Sequence, residues 1–179
     1  LRRTLLPLLA LLALVAALTL RTTPAAASSG CTNGDSSNVF SAFGDTNAYY
    51  LLQGGSFESS TTSWSGGSRV AGNEPYFLAG SGHTKSLSLS AGTSASSGWV
   101  CLGKTDPTIR FLAKSAALGS GGNYTSLNVS VTLKGETGSQ VSIYLGQLQA
   151  GSFAGWKVTP IFSYAAWLNQ PWLYAGGTN

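Results

Sequence analysis

The sequence is poor in charge, and it contains one histidine, two cysteines and no methionine. Lys, Arg, Asp and Glu together make up 9% of its 179 residues, whereas roughly 25% is usual in soluble domains. No basic cluster is present that would attract DNA, RNA or an anionic membrane surface, so these partners are excluded. With His83 as the single histidine and no Cys-x-x-Cys pair, a zinc centre lacks its usual ligands. The absence of a Gly-x-Ser-x-Gly motif removes the commonest hydrolase signature.

The first 27 residues differ in composition from the rest of the chain. They open with Arg2 and Arg3, continue through a Leu/Ala run to Leu20, and end in small residues at Ala27. This pattern is typical of a secretory signal peptide, and the paired arginines also suit a twin-arginine signal. A membrane anchor is the alternative, but the uncharged stretch from Thr4 to Leu20 has about 17 residues, the lower limit for a spanning helix. We expect residues 1–27 to be cleaved, leaving a secreted, extracellular protein with no stable membrane insertion.

Once the signal peptide is set aside, the remaining chain is close to neutral. The whole sequence has a formal net charge of +4, but Arg2, Arg3 and Arg21 all lie in the segment we expect to be removed. That leaves seven basic residues against six acidic ones. A domain of this size can bury a substantial core. Because the sequence does not begin with methionine, we also expect it to be part of a longer reading frame.

The two cysteines, Cys31 and Cys101, form the even count that indicates a disulfide in an exported protein. Their bridge would close a loop of about 70 residues and stabilise the fold by roughly 4 kcal/mol. It would tie an N-terminal segment, residues 28–48, to a β-sandwich domain predicted over residues 49–179. A thiol nucleophile or a metal pair is the alternative, although no Cys/His cluster accompanies either cysteine.

Short stretches rich in β-branched and aromatic residues recur between Gly, Ser, Thr and Asn turns, which predicts an all-β fold. Alternate residues from Leu127 to Leu133 are apolar, as expected for a strand with one face toward the core. Lys134 to Gly138 then predicts a hairpin turn. The predicted strands lie at residues 49–52, 63–70, 86–90, 98–102, 108–114, 127–133, 141–145 and 156–159.

Several motifs carry a resemblance to known secreted proteins. The stretch from Leu51 to Glu58 reads Leu-Leu-Gln-Gly-Gly-Ser-Phe-Glu, and Trp64 follows six residues later. This resembles the opening of galactose-binding-like jelly rolls, a class that includes many carbohydrate-binding modules. The longer pattern is similar to a family of secreted actinobacterial proteins of unassigned function, with matching motifs at residues 43–45, 72–76 and 106–111.

The resemblance implies a two-sheet antiparallel β-sandwich of the jelly-roll, galactose-binding-like type. Such domains usually finish with a strand bearing a Trp-x-Ile-Asp-Asp-type motif, whereas this sequence ends Trp-Leu-Tyr-Ala-Gly-Gly-Thr-Asn. We therefore expect the last strand of the sandwich to be missing. In calcium-containing members of the class, the position of Glu58 helps to hold a structural Ca²⁺ between the first and last strands, so the resemblance implies a calcium ligand at Glu58. The alternative is a strand-end glutamate without metal, and no other cofactor is expected.

A loop containing Asn73, Glu74 and Tyr76 is the predicted ligand-binding site. It places an aromatic ring, on which the apolar face of a sugar could stack, beside side chains that can hydrogen-bond sugar hydroxyls. The alternative for each aromatic residue is core packing, which occupies most aromatic side chains in a β-sandwich.

The combined reading is a secreted, non-catalytic binding module for carbohydrate or cell-envelope glycan. A structural or surface protein without a small-molecule ligand is one alternative. A glycan-active hydrolase is the other, because a glycosidase needs two carboxylates that flank the scissile bond. Four acidic residues are candidates for that pair, but none has a context that identifies an acid or a base, so no catalytic residue is assigned. The four are Asp45, Glu58, Glu74 and Asp106.

Overall fold

The structure is a computed structural model, and it describes residues 33–59, 63–103, 105–115 and 126–174. Within these ranges the chain forms short β-strands joined by turns and short 3-10 helices, which confirms the all-β prediction. None of the described helices is long and apolar enough to cross a membrane. The strands are β1 (Ser36–Ser37), β2 (Tyr49–Tyr50), β3 (Ser65–Gly66), β4 (Ser68–Ala71), β5 (Lys85–Ser88), β6 (Ala95–Ser96), β7 (Thr108–Ile109), β8 (Leu112–Ala113), β9 (Ser126–Lys134), β10 (Gln140–Gln149), β11 (Lys157–Val158) and β12 (Phe162–Ser163). The 3-10 helices are Ser41–Phe43, Ala150–Phe153, Ala165–Trp167 and Pro171–Tyr174.

The strands are arranged as antiparallel pairs. Over the described ranges, each strand is hydrogen-bonded to one partner, which gives six two-stranded sheets. These pairs do not by themselves form the two-sheet sandwich that the resemblance implies, and the sandwich stays a prediction. The strand predicted at residues 98–102 is wrong, because that stretch contains no regular pairing and the neighbouring strand β6 lies before it. The pairs are β1 with β2, β3 with β6, β4 with β5, β7 with β12, β8 with β11, and β9 with β10.

The longest pair, β9 with β10, and the chain that follows it contribute most of the buried core. The predicted alternation is confirmed, because outward residues of β9 are exposed, whereas its inward residues are half-buried or, at Leu133, buried. Gly135 N–H donates to the Ser139 carbonyl at 2.8 Å and closes the predicted turn. The inward face packs against two groups of side chains that come from the hairpin itself and from the chain after it. One group contains Leu133, Ile143, Tyr164, Leu168 and Leu173, and the other contains Leu148, Phe153 and Phe162.

A β-bulge in β10 keeps its polar residues on the outer side. The register with β9 shifts between Tyr144 and Gly146, and the additional residue preserves the alternation beyond the bulge, so that Leu148 is buried. Gly146 has a φ of 150°, and a Cβ there would lie 3.1 Å from a ring carbon of Phe162. Glycine therefore meets both the backbone and the packing requirements of the bulge.

The start of the described chain packs near Cys101. The Cys101 carbonyl accepts hydrogen bonds from Asn33 Nδ2 and Tyr50 Oη, both at 3.1 Å. Asn33 belongs to the 28–48 segment and Tyr50 to β2. Both residues therefore contact Cys101, the cysteine to which we expect the 28–48 segment to be bridged. Cys31 and the predicted signal peptide, residues 1–27, lie outside the described residues. The Cys31–Cys101 disulfide therefore stays a prediction.

Candidate functional site

A long loop connects β4 to β5 and contains all three predicted ligand-binding residues. It runs over residues 72–84, and its two ends are joined at the base, where Gly72 N–H donates to the Thr84 carbonyl at 2.8 Å. Asn73 Nδ2 adds a second bond across the base, to the His83 carbonyl at 3.3 Å. Loops of about 6–16 residues with joined ends are compact surface elements that often carry function. We refer to this element as the 72–84 loop.

Glu74 holds the first half of the loop from the inside. It is only 7% exposed, and its two carboxylate oxygens accept hydrogen bonds from the backbone N–H groups of Tyr76 and Leu78, both at 2.6 Å. Charged acceptors make stronger hydrogen bonds than neutral ones. These bonds fix the backbone around Phe77, which has a φ of 52°, a conformation that few non-glycine residues adopt. Glu74 thus sets the shape of the loop.

Glu58 holds the base of the same loop. Its Oε1 accepts hydrogen bonds from the backbone N–H groups of Thr84, at 2.5 Å, and Lys85, at 2.7 Å. These donors, with the Thr84 hydroxyl at 3.4 Å from Oε2, hold the pKa of Glu58 below its ordinary value. Glu58 therefore joins the segment before β3 to the start of β5. This role is separate from the metal binding that the resemblance implies.

The described contacts of the Glu58 carboxylate are N–H and O–H donors. Calcium takes six to eight oxygen ligands, whereas the groups around Oε1 are N–H donors. In the part of the chain that the structure describes, no group of three or more His, Cys, Asp or Glu side chains is placed to hold a metal ion. Calcium at Glu58 stays a prediction from resemblance, and the alternative of a glutamate without metal can be tested directly.

If Glu58 holds no metal, removal of divalent metal leaves the thermal stability of the full chain unchanged, and we expect this result because the N–H groups of Thr84 and Lys85 already stabilise the Glu58 carboxylate. The measurement is the melting temperature with EDTA, with EDTA followed by excess CaCl₂, and with neither. A fall in melting temperature with EDTA that CaCl₂ reverses would contradict this expectation and establish the calcium site.

The loop presents two aromatic rings to solvent. Tyr76 and Phe77 are each 48% exposed, although rings of this size are usually buried in a β-protein. The Tyr76 ring meets the half-buried Phe43 ring edge to face, with centroids 4.9 Å apart. Phe43 comes from the 3-10 helix Ser41–Phe43, far away in sequence. Together Phe43, Tyr76 and Phe77 form a surface that we call the aromatic patch.

Behind the aromatic patch, a row of rings leads into the protein. Phe40 is buried, and its ring lies 6.4 Å from Phe43 and 5.1 Å from Tyr49, between centroids. The Arg110 guanidinium lies over the Phe40 ring, 5.4 Å from its centroid, a favourable cation–π distance. Phe43, and through it Tyr76, therefore rests on packed side chains.

An ion pair between Asp45 and Arg110 anchors this row. Asp45 is 4% exposed, and its Oδ2 lies 2.6 Å from Arg110 Nη1 and 2.8 Å from Tyr49 Oη. Asn47 donates to Oδ1 through both its backbone N–H and its side-chain amide. Arg110 Nε donates to the carbonyl of the fully buried Thr159 at 3.0 Å. The pair thus joins the start of the described chain to the segments around β7 and β11.

The hydrogen bonds of Asp45 determine its protonation. Burial acts to raise the pKa of this carboxyl, but the Arg110 guanidinium, the Tyr49 hydroxyl and the donors of Asn47 outweigh burial and lower the pKa to about 2. Asp45 is therefore ionised throughout the physiological pH range.

Each of the four carboxylates considered for catalysis is engaged by donors of the protein. Asp45, Glu58 and Glu74 accept the bonds described above, and Asp106 Oδ2 accepts one from Gly103 N–H at 2.9 Å. His83, the single histidine, is half-buried, and its Nδ1 has no hydrogen-bond partner in the described ranges. The carboxylates act as acceptors that shape loops and turns.

Comparison with models of known protein families, with curated proteins and with solved structures yields no match. The resemblance to galactose-binding-like modules therefore rests on the motifs quoted above.

The three predicted ligand-binding residues have different roles in the structure. Asn73 and Glu74 use their polar groups within the loop, and Tyr76 alone presents its ring to solvent. Two features of the site have no local signal in the sequence. The packing of Phe43 against Tyr76 is a contact between distant residues, and the exposure of Phe77 depends on its positive φ. The Asp45 turn has a local signal, because Asp side chains often accept from the backbone N–H two residues on, but the pairing of Asp45 with Arg110 has none.

Proposed function

We propose that the protein is a secreted, non-catalytic module that binds glycan through the aromatic patch. The observation that carries this proposal is the pair of exposed rings, Tyr76 and Phe77, on a loop whose shape is set by a buried glutamate. Exposed apolar surface on a fixed scaffold commonly marks a binding site. An aromatic ring offers a flat apolar face, and tyrosine adds a hydroxyl that can hydrogen-bond.

The bracing of the loop favours binding because it lowers the entropy cost of association. A loop held at its base by Glu58 and inside by Glu74 needs little ordering when a ligand arrives. Phe43 packs against Phe40, whose ring lies under the Arg110 guanidinium, and so Phe43 limits the movement of the Tyr76 ring. The peptide groups of the loop and Tyr76 Oη can form hydrogen bonds with sugar hydroxyls beside that ring.

The same contacts rank the two alternatives lower. A glycosidase needs one carboxyl that can donate a proton and a second that acts as base or nucleophile, whereas the four candidate carboxylates are each held by protein donors. A purely structural surface protein gives no reason to expose two aromatic rings on a braced loop. We therefore place the catalytic and structural alternatives after glycan binding.

The proposal is tested by retention on insoluble glycans. Purified protein would be incubated with microcrystalline cellulose, chitin and curdlan, and in parallel applied to a glycan array that includes bacterial envelope sugars. We expect retention on at least one glycan, with dissociation constants in the micromolar to millimolar range, as is usual for a small patch. Absence of retention on every glycan would overturn the proposal. Release of reducing sugar from a retained glycan, lost in Glu58→Ala or Glu74→Ala, would favour the hydrolase instead.

A further inference from the structure

The outer face of the β9–β10 hairpin is a second polar surface, separate in sequence from the 72–84 loop. Nine residues of β9 pair with β10, so the face is about 30 Å long at the usual rise per strand residue. Every second residue points outward and is exposed. The bulge at Gly146 keeps Gln147 and Gln149 on this side. We call this surface the hairpin face.

The hairpin face offers uncharged hydrogen-bonding groups. Gln149 Nε2 donates to Gln147 Oε1 at 3.0 Å, and Asn128 lies opposite Gln147 in the strand register. Further along, the hydroxyls of Thr132 and Ser142 lie 2.9 Å apart. Amides and hydroxyls both donate and accept, which matches a ligand whose own groups are hydroxyls.

One strongly exposed aromatic ring lies on this polar row, and a second contacts the side chain at its end. Tyr144 is 62% exposed and stands opposite Ser130. Trp99 is 61% exposed, and Lys134 Nζ lies 5.6 Å from the centroid of its ring. Lys134 is four residues beyond Ser130 on β9, about 14 Å along the strand. Among the outward residues of the two strands, Lys134 is the one that carries charge, and it lies at the end of the row.

We propose that the hairpin face binds an extended, uncharged polysaccharide chain, with Tyr144 and Trp99 as its two stacking positions. Amides and hydroxyls between the rings hydrogen-bond the sugar hydroxyls, and the length of the face accommodates several consecutive sugar rings. Lys134 is the one cation that the face offers to an acidic polymer. The face also lacks the row of basic groups that binds a nucleic acid. This inference rests on the proposed function, because it assigns the same class of ligand to a second surface.

Affinity electrophoresis in native gels tests the hairpin face with named polymers. Galactomannan and xyloglucan serve as neutral chains, and polygalacturonate serves as the anionic chain. The proteins are wild type, Tyr144→Ala, Trp99→Ala and Tyr76→Ala, with Ile161→Ala as the control for loss of an exposed apolar side chain elsewhere. Far-ultraviolet circular dichroism and the melting temperature establish that each variant is folded. We expect Tyr144→Ala and Trp99→Ala each to weaken retardation by at least one neutral polymer about tenfold, as truncation of an aromatic anchor does.

The outcomes separate this inference from the proposed function. If Tyr76→Ala alone loses retardation, the hairpin face is not a binding surface and the proposed function stands. If Tyr144→Ala and Trp99→Ala lose it while Tyr76→Ala does not, the hairpin face stands and the aromatic patch is overturned. Retardation by polygalacturonate alone would overturn the uncharged ligand class. No retardation in any gel, together with no retention on insoluble glycans, would overturn both.

Discussion

The Arg110→Ala variant is expected to lower the free energy of unfolding by about 3–5 kcal/mol, the usual result of removing one partner of a buried ion pair. The substitution leaves the nearly buried Asp45 carboxylate without its cation, and it removes the hydrogen bond from Arg110 Nε to Thr159. It also removes the guanidinium that lies over Phe40. Urea denaturation monitored by tryptophan fluorescence measures the effect.

Arg69→Ala is the matched control for Arg110→Ala. Arg69 is exposed, and its Nη1 donates to the backbone carbonyl of Glu58 at 3.1 Å. Loss of such a surface contact typically costs under about 1 kcal/mol. Equal destabilisation by the two substitutions would contradict the role of the Asp45–Arg110 pair in holding the packed rings behind the aromatic patch.

Acid titration gives a second signature of the same pair. Because the pKa of Asp45 is lowered from 3.8 to about 2, its ionised form stabilises the native state above the unfolded pKa. That contribution is lost as the pH falls from about 4 through about 2. Arg110→Ala removes the main group that lowers the pKa, and burial then acts to raise it, so the variant should lose this stabilisation at a higher pH than wild type. Identical acid-unfolding profiles would contradict the assignment.

Glu74→Ala is expected to have the second-largest effect, about 2 kcal/mol of destabilisation with at least tenfold weaker glycan binding. The substitution leaves the part-buried N–H groups of Tyr76 and Leu78 without their carboxylate acceptor, and the loss of a hydrogen bond to a charged group costs about 1.5–3 kcal/mol. The backbone around Phe77 then loses the contacts that hold its positive φ. Chemical denaturation and glycan titration measure the two effects.

Asp35→Ala is the matched control for Glu74→Ala, because Asp35 is an exposed carboxylate just before β1. We expect it to retain glycan binding with only a small change in stability. Wild-type affinity in Glu74→Ala would mean that the shape of the 72–84 loop has no part in binding.

Local patterns predicted some parts of the fold well. Alternation from Leu127 to Leu133 and the turn at Lys134 to Gly138 are short-range signals, and the structure confirms the hairpin that they predict. The same patterns were wrong for the stretch from Gly98 to Leu102. There Trp99 is exposed rather than paired within a strand, because the hydrophobic residues of that stretch do not alternate.

The candidate site depends on contacts that no local pattern contains. Sequence reasoning brought Asn73, Glu74 and Tyr76 together as neighbours in one loop, but it assigned the polar groups of Glu74 to a ligand rather than to the loop backbone. Glu58 was assigned by resemblance to a metal, whereas its carboxylate holds Thr84, about 26 residues away along the chain. The packing of Phe43 against Tyr76 likewise becomes visible only in three dimensions.

The central claim, that the ring of Tyr76 contacts glycan, is tested most directly by one titration series. The best-retained glycan from the pull-down would be titrated into wild type, Tyr76→Phe and Tyr76→Ala by isothermal calorimetry, after circular dichroism has established that all three are folded. We expect Tyr76→Phe to bind within about threefold of wild type and Tyr76→Ala to bind at least tenfold more weakly, because the first keeps the aromatic face and the second removes it. Equal affinity of wild type and Tyr76→Ala would contradict the account.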